Sequence, residues 1–503
     1  MMNASIRRED APIRMQLDGQ LRGVASLCAL AGVLAVTGCS LAPRHETPTL
    51  PVASAYPADT ESQPGAMSDG SIAPQIAWRD YFVDPHLRAL IARALDNSRD
   101  LRIAVLRVAE ARAAYGIQRA DQLPTIAASV DGSRARLPAD LNVTRQTQIG
   151  SLYQVDVGLA AWELDFWGRV RNLKDAALET YLATDEARRA FAVSLVGEVA
   201  VGYLALRELD ERIALARQTI ASREESLRIF KRRFEVGAIA KMDLVQVEVL
   251  LQQAQTLAAQ LEQGRAVQAH ALTLLVGSPL PPLPENTGLG DDAVARELRV
   301  GLPSDLLLQR PDIVAAEHQL RAAQANIGAA RAAFFPRITL TGSAGTASAE
   351  LNGLFDSGSR AWNFMPSLSL PIFDAGRNRA NLDLAEVRRD LAVTNYEKTV
   401  QAAFRDVSDA LSARHWLTEQ VRIAQATLAA QTERARLSQL RYDNGSAPYF
   451  EVLDAQRELL TAEQQLVQTR RALLSSRVSL YAALGGGSQE FAAPADTATR
   501  QAN

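Results

Sequence analysis

The sequence predicts a mainly α-helical protein with a membrane β-barrel part, built from two copies of one structural unit. Three features indicate this: an internal duplication, long proline-free stretches with heptad-like apolar spacing, and short segments in which apolar and polar residues alternate. The 503 residues are 47% hydrophobic but only 6% aromatic, which suits closely packed helices rich in alanine and leucine. The net charge of −3 offers no basic surface for nucleic acid.

The duplication is visible as identical residues at a constant spacing. The offset is 212 residues across the first helical stretch of each half and 208 residues from Gly168 onward. The difference falls between the alternating segments, where a loop tolerates an insertion. The matched pairs include Asp100/Asp312, Gly116/Gly328, Arg119/Arg331, Pro124/Pro336, Gly168/Gly376, Val199/Val407, Gly237/Gly445 and Gly277/Gly485.

Both halves contain the same order of elements: a helix, two alternating segments, a very long helix, a glycine turn and a shorter helix. We expect the halves to span 84–277 and 296–485, with a linker over 278–295 and a flexible tail over 486–503. The predicted helices are 84–121, 170–235, 241–276, 304–333, 378–443 and 448–484. A helix of about 66 residues is about 100 Å long, which far exceeds a ~30 Å hydrocarbon core.

The alternating segments have the pattern of membrane β-strands. Apolar residues take every second position near 126–130, 153–159, 338–342 and 362–372. Aromatic residues lie near the segment ends, at Tyr153, Trp162, Trp167, Trp362 and Phe373. A soluble antiparallel sheet alternates in the same way, so no single segment decides between the two. Because four strands cannot close a barrel, two chains would have to supply 8 strands or three chains 12.

The last of these segments has the longest predicted apolar face. We expect five of its side chains to share one side of a strand, with polar residues on the other side. The five are Trp362, Phe364, Leu368, Leu370 and Ile372.

The N-terminus has the pattern of a bacterial lipoprotein signal peptide over residues 1–38. Arginines precede an uncharged run of 14 residues, Gly23–Val36, which is too short to span a membrane stably. Small residues then precede Cys39, the predicted site of lipidation and palmitate attachment. Residues 39–83 are expected to form the acylated tether that connects the lipid to the body of the protein.

Neighbouring residues agree with a lipidated outer-membrane protein. Ser40 follows the cysteine, whereas lipoproteins kept at the inner membrane often carry aspartate there. The only other cysteine, Cys28, lies inside the apolar run, so the mature chain has no intramolecular disulfide. Met1 and Met15 are alternative start sites of translation, and the sequence does not decide between them.

One stretch of the second half carries a specific motif, from Arg310-Pro311-Asp312-Ile313 to Phe334-Phe335-Pro336. Together with the lipidation motif and the duplicated halves, it resembles the TolC-like outer membrane factors, in particular the lipoprotein branch typified by OprM and NodT. The resemblance covers about 70–486. It implies a homotrimer in the outer-membrane lipid, with a shared 12-stranded barrel above a periplasmic helical tunnel.

The resemblance also implies a function. Such channels dock onto a periplasmic adaptor and an inner-membrane pump, here of the RND type, and pass drugs, solvents or other toxic compounds outward. They have no cofactor and no catalytic site. Two alternatives stay open: a duct for type I protein secretion, and a lipid-anchored periplasmic helical scaffold without a pore.

Two glycine turns separate the long helices from the shorter ones. A chain that reverses between two helices favours a positive φ, which glycine adopts without strain. The resemblance implies that these tips contact the adaptor; a purely structural turn is the alternative. The tip residues are Val236, Gly237, Ala238, Asn444, Gly445 and Ser446.

Acidic residues follow both tips. Glu451 and Asp454 are three positions apart and share a helix face, and Asp243 occupies a similar place after the first tip. The resemblance implies that these carboxylates, with Tyr442, line a periplasmic gate as rings of three. They could equally favour a helix N-terminus. Ala447 stands where some family members use an arginine to lock the gate, so any lock must use other pairs.

Motifs for enzymatic chemistry are absent from the sequence. No phosphate-binding loop and no His-Glu-x-x-His motif occurs, and the five histidines are scattered. We therefore expect neither a metal site nor an enzyme.

Overall fold

The computed structural model describes residues 40–46, 48, 52–53, 73–282, 289–290, 298 and 309–492. The predicted signal peptide and Cys39 lie outside this part of the chain. Two compact units are present. We call the unit formed by the described residues within 1–47, 111–181 and 319–393 the sheet unit, and the unit formed by those within 48–110, 182–318 and 394–503 the helical unit.

The described residues contain eight α-helices and four β-strands. The helices are α1 (Trp78–Tyr81), α2 (Pro85–Asn97), α3 (Arg99–Ala120), α4 (Arg169–Glu235), α5 (Lys241–Val276), α6 (Pro311–Ala332), α7 (Arg377–Asp443) and α8 (Tyr449–Ala483). The strands are β1 (Ile126–Leu137), β2 (Gln148–Glu163), β3 (Arg337–Ser348) and β4 (Arg360–Ser369).

All four strands form one antiparallel sheet in the order β1-β2-β3-β4. The register pairs Val130 with Val155 and Ala344 with Trp362, and because Val157 lies opposite Ala344, these residues share one face of the sheet. The predicted alternation is therefore confirmed. A bulge after Leu159 interrupts the β2–β3 register, and Ala161 has a φ of 50° there. Among the described strands, β1 and β4 are paired on one side only.

The end of β4 differs from the prediction. The strand stops at Ser369, so Leu370 and Ile372 do not continue the apolar face of Trp362, Phe364 and Leu368. The physical reason is pairing: Ser369 lies opposite Arg337, the first residue of β3, and β3 offers no backbone partner beyond it.

The long helices match the sequence prediction closely. Helices α4 and α7 both contain 67 residues and begin one residue before the expected start. At their N-termini, Gly168 and Gly376 have φ values of 72° and 85°, so the chain turns there on glycine. The two helices thus begin in the same way, as expected for copies of one unit.

The helix predicted over 84–121 is broken into two, so the prediction of one continuous helix at the start of the first half was wrong. Helix α2 ends at Asn97, Ser98 has a ψ of 126°, and α3 begins at Arg99. The reason is local: the Ser98 hydroxyl accepts a hydrogen bond from the Leu101 amide at 3.4 Å, which caps α3. At the other end of α2, the Asp84 carboxylate accepts from the His86 amide at 2.7 Å.

The core of the helical unit begins earlier and ends later than the sequence suggested. Trp78 and Phe82, assigned to the tether, are 1% and 0% exposed, and Tyr81 stacks on Tyr481 with ring centroids 4.2 Å apart. The described start of the predicted flexible tail is also packed, because the Gly487 amide donates to the Ala73 carbonyl at 3.1 Å. Aromatic and backbone contacts therefore join residues 73–82 and the start of the predicted tail to the core.

One described helix, α4, is long and apolar enough to cross a membrane. Its most apolar 18-residue window has a mean hydropathy of 1.5, and 56% of that window is buried inside the protein. The apolar residues Leu195, Val199 and Leu206 of this helix belong to the core of the helical unit. Burial in this core accounts for the apolar character of the window.

Candidate functional site

The two helix–turn–helix tips of the helical unit have the same backbone geometry. Gly237 and Gly445 have φ values of 74° and 68°. Their amides donate at 2.9 Å to the carbonyls of Phe234 and Tyr442, three residues earlier. The next amides, of Ala238 and Ser446, donate to carbonyls five residues earlier, also at 2.9 Å. Both turns are thus helix ends closed by a left-handed glycine.

The tip residues predicted for adaptor contact lie at the surface. Val236 is 66% exposed at the apex of the first tip. In the second tip, the Asn444 amide donates to the Leu440 carbonyl at 2.7 Å, and the Ser446 hydroxyl donates to the Arg441 carbonyl at 2.9 Å. Asn444 and Ser446 therefore also close the end of α7.

An aromatic cluster joins the two tips. Tyr449 packs against Phe230 at 4.4 Å and against Tyr442 at 4.8 Å between ring centroids. Its hydroxyl donates to Ser226 at 3.3 Å, and burial raises the pKa of Tyr449 above its usual value. Arg233 donates to the Tyr442 hydroxyl and lies over the Phe230 ring at 5.8 Å. The cluster fixes α4 of one hairpin against α7 and α8 of the other.

The predicted gate carboxylates Glu451 and Asp454 are paired with arginines. Glu451 accepts from Arg441 of α7 at 2.6 Å. Asp454 accepts from Arg434 of α7 at 2.5 Å and from Arg457 of its own helix at 2.7 Å. Two ion pairs therefore connect the start of α8 to the end of α7. Each pair is partly exposed, so each contributes only about 0.2–1 kcal/mol.

Asp243 has a different environment. Its carboxylate accepts from the Ala240 amide at 3.2 Å and so caps the start of α5. Among the described residues, no hydrogen bond joins Asp243, Tyr442, Glu451 and Asp454 to one another. Within one chain, the four predicted gate residues are therefore near the tips but act in separate contacts.

Sequence reasoning missed the arginine partners of these residues. Arg434 and Arg441 contact carboxylates across the turn, 20 and 10 positions away, which no helical spacing indicates. Arg457 lies three positions after Asp454, and the spacing rule for helix surfaces could have found it. Arg233, which reaches Tyr442 from the other half of the chain, leaves no local signal.

No metal-binding cluster occurs in the described part of the chain: His, Cys, Asp and Glu side chains nowhere form a group of three or more there.

Comparisons with known proteins agree on one family. The sequence profile of the outer membrane efflux protein family matches residues 90–278 and 302–486. The solvent efflux pump outer membrane protein SrpC of Pseudomonas putida is 45% identical over 457 residues, which cover 90% of this chain and 97% of that protein. The outer membrane protein OprJ of Pseudomonas aeruginosa is 44% identical over 464 residues, with 92% and 96% covered.

Solved structures give the same result. A membrane protein from Pseudomonas aeruginosa has a TM-score of 0.83 and 43% identity, and the match covers 89% of this chain and 98% of that chain. The open state of the MtrE outer membrane channel of Neisseria gonorrhoeae has a TM-score of 0.80 and 38% identity, again covering 89% and 98%. The TolC-like fold and the outer-membrane location are confirmed. With its two matched halves and its relatives across nine tenths of its length, the chain belongs to the outer membrane efflux protein family.

Proposed function

We propose that the protein is the outer-membrane channel of a tripartite efflux system and works as a homotrimer. The observation that carries the proposal is the four-stranded sheet with one apolar face and two half-paired edges. An open edge in lipid leaves backbone groups unpaired, at several kcal/mol each. Three copies joined edge to edge would form a closed barrel of 12 strands, as the family resemblance implies.

Apolar side chains on α7 favour assembly with further copies. Leu384, Val387 and Leu391 are 47%, 56% and 65% exposed in one chain and follow helical spacing. An exposed apolar stripe of this kind indicates a contact surface. A neighbouring copy is the partner that the trimer would bring to it.

The relatives suggest the substrates and partners. SrpC is named for solvent efflux and TtgI of Pseudomonas putida for toluene efflux, so we propose solvents, antibiotics or other small toxic compounds as substrates. An inner-membrane pump of the RND type would supply them, and the channel itself would conduct passively, with no catalytic group or cofactor. The exposed tips around Gly237 and Gly445 would contact the periplasmic adaptor.

Channel activity has a direct test. We expect the purified protein to run as an SDS-resistant trimer and to conduct ions in planar lipid bilayers. A scaffold without a pore would give a monomer and no conductance, which would contradict the proposal. A duct for secreted proteins would conduct as well, and the genes beside this one would separate it from a drug channel, since an adaptor and a proton-driven pump are expected there.

Lipidation at Cys39 is supported by the position of the next residues. The Ser40 hydroxyl donates to Asn172 at 2.9 Å, and Arg331 donates to the Leu41 carbonyl at 3.3 Å. Both partners lie in the sheet unit, at the ends of α4 and α6 nearest the strands. We propose that these contacts hold the acylated end at the inner rim of the barrel.

Gly328 makes room for this segment. A Cβ atom at position 328 would lie 2.8 Å from the Ala42 amide nitrogen and 2.6 Å from the Asn172 side chain, closer than such atoms pack. The absence of a side chain at 328 thus allows Ala42 to pass against α6. His45 contacts Gln324 at 2.9 Å, one helical turn before Gly328 in α6.

Replacing Cys39 with serine is expected to abolish lipidation, because the thioether to the diacylglycerol cannot form without the thiol. The measurement is incorporation of labelled palmitate into the protein in growing cells. Cys28→Ser is the matched control, since it removes the other cysteine and should leave labelling unchanged. Labelling that persists in the Cys39→Ser protein would refute the assignment. Transport is expected to survive the change, because the barrel also anchors the trimer.

A further inference from the structure

The two faces of the sheet differ in chemistry, and the register assigns each residue to one of them. The polar face carries a hydrogen-bonded network in which Asp156 accepts from Ser129 at 3.1 Å and from Gln154 at 2.6 Å. The opposite face carries Val130, Val155 and Trp362. In the proposed barrel, the apolar face contacts lipid and the polar face lines the pore.

Three arginines lie on the apolar face. Arg134 and Arg136 follow Val130 by an even number of positions on β1, and Arg360 precedes Trp362 by two positions on β4. All three lie at the end of the sheet that carries the two hairpin loops. The helices connect at the opposite end, so the hairpin end is the outer one in the proposed barrel.

Strand geometry places these arginines at the outer boundary of the membrane. Arg134 lies eight residues after Ile126, and Arg360 lies eight residues before Leu368. Eight residues extend about 27 Å along a strand and, at a tilt of about 40°, about 20 Å along the barrel axis. By the same estimate, Arg136 lies about 26 Å along the barrel axis from the level of Ile126. The apolar band of such barrels is about 25 Å tall, so Arg136 lies at its outer boundary and Arg134 and Arg360 lie about 5 Å below it, where a long arginine side chain still reaches the headgroups.

The charges of the three side chains are not compensated within the chain. All three are exposed, and in the described residues no hydrogen bond or ion pair joins them to another group. The acidic residues Asp131 and Asp156 point to the opposite face of the sheet. Glu163 lies at the far end of β2 and pairs there with Arg337 at 2.7 Å.

We propose that Arg134, Arg136 and Arg360 form a binding site for the phosphate groups of anionic glycolipids in the outer leaflet of the outer membrane. The inference rests on the proposed trimeric barrel, in which β4 of one copy lies beside β1 of the next. The basic residues of both edge strands then converge at each of the three junctions between copies. Guanidinium groups bind phosphate with two parallel hydrogen bonds, and Trp362 beside Arg360 supplies an aromatic ring at the same depth.

The site is tested by titrating the detergent-solubilised trimer with fluorescently labelled lipid A and measuring the dissociation constant. Removal of one arginine near an anionic surface weakens binding about fivefold, so the Arg134→Gln, Arg136→Gln, Arg360→Gln triple variant should bind about a hundredfold more weakly. Arg145→Gln is the matched control. It removes the same charge from the β1–β2 loop, where Arg145 is exposed, and binding should stay within about twofold of wild type.

Two further titrations identify the ligand. Dephosphorylated lipid A should bind the wild-type trimer as weakly as lipid A binds the triple variant. Inorganic phosphate at the same concentration should not displace lipid A. Unchanged binding by the triple variant, or displacement by inorganic phosphate, would overturn the proposal. Conductance of the same samples separates this outcome from a failure of the channel assignment, because a protein that is not a trimeric channel does not conduct at all.

Discussion

Replacing Gly277 with alanine is expected to destabilise the protein by about 3 kcal/mol. Gly277 ends α5 with a φ of 73°, a conformation that costs a residue with a side chain about 1–2 kcal/mol. A Cβ atom there would overlap the Asn97 carbonyl group, with the carbonyl carbon at 2.8 Å. Overpacking of this kind adds about 1–3 kcal/mol, because the opposing atom belongs to the backbone and cannot rotate away.

The internal duplication provides a matched control for this prediction. Gly485 is the equivalent residue of the second half and has a φ of 71°, but a Cβ there would meet nothing closer than 3.5 Å. Gly485→Ala should therefore cost only the backbone term, about 1 kcal/mol. The measurement is the thermal midpoint of trimer unfolding for both variants. Equal midpoints would show that the contact with Asn97 is not a constraint in the folded protein.

The difference between these two glycines also shows what the sequence could predict. The offset of 208 residues identified them as equivalent, and helix-ending glycines are recognisable from local chemistry alone. The helix break at Ser98 was not predicted. The residue before it, Asn97, provides the carbonyl group that a Cβ atom at position 277 would overlap. Apolar spacing continues on both sides of Ser98, and only the Asn97-Ser98 pair indicated a new helix start.

The same distinction applies to the candidate gate. Glu451 and Asp454 could be predicted because they share a helix face next to a glycine turn. Their partners Arg434 and Arg441 lie on α7, and packing of the tip, including the aromatic cluster around Tyr449, sets which residues of α7 and α8 come opposite each other. The alignment of α7 with α8 depends on tertiary contacts, and the periodicity of a single sequence does not reveal these contacts.

Replacing Glu451 and Asp454 together with alanine is expected to raise single-channel conductance about twofold or more in planar bilayers. The double change removes both ion pairs between α7 and α8 beside the tip, and in a trimer it does so three times. Each pair contributes little alone, but in the proposed gate three copies of both pairs would act together on one constriction. Loss of the carboxylates should also reduce the preference for cations, since rings of carboxylates attract cations.

Arg434→Gln separates the two effects of the gate residues. It breaks the 2.5 Å pair with Asp454 but leaves the carboxylate in place, so conductance should again rise while the preference for cations increases. Glu225→Ala is the control: this residue lies on α4 and pairs with Arg228 of the same helix at 2.6 Å, so neither conductance nor selectivity should change. If the double variant conducts like the wild type, the carboxylates do not close the channel, and the ion pairs at the tip serve only to hold α7 against α8.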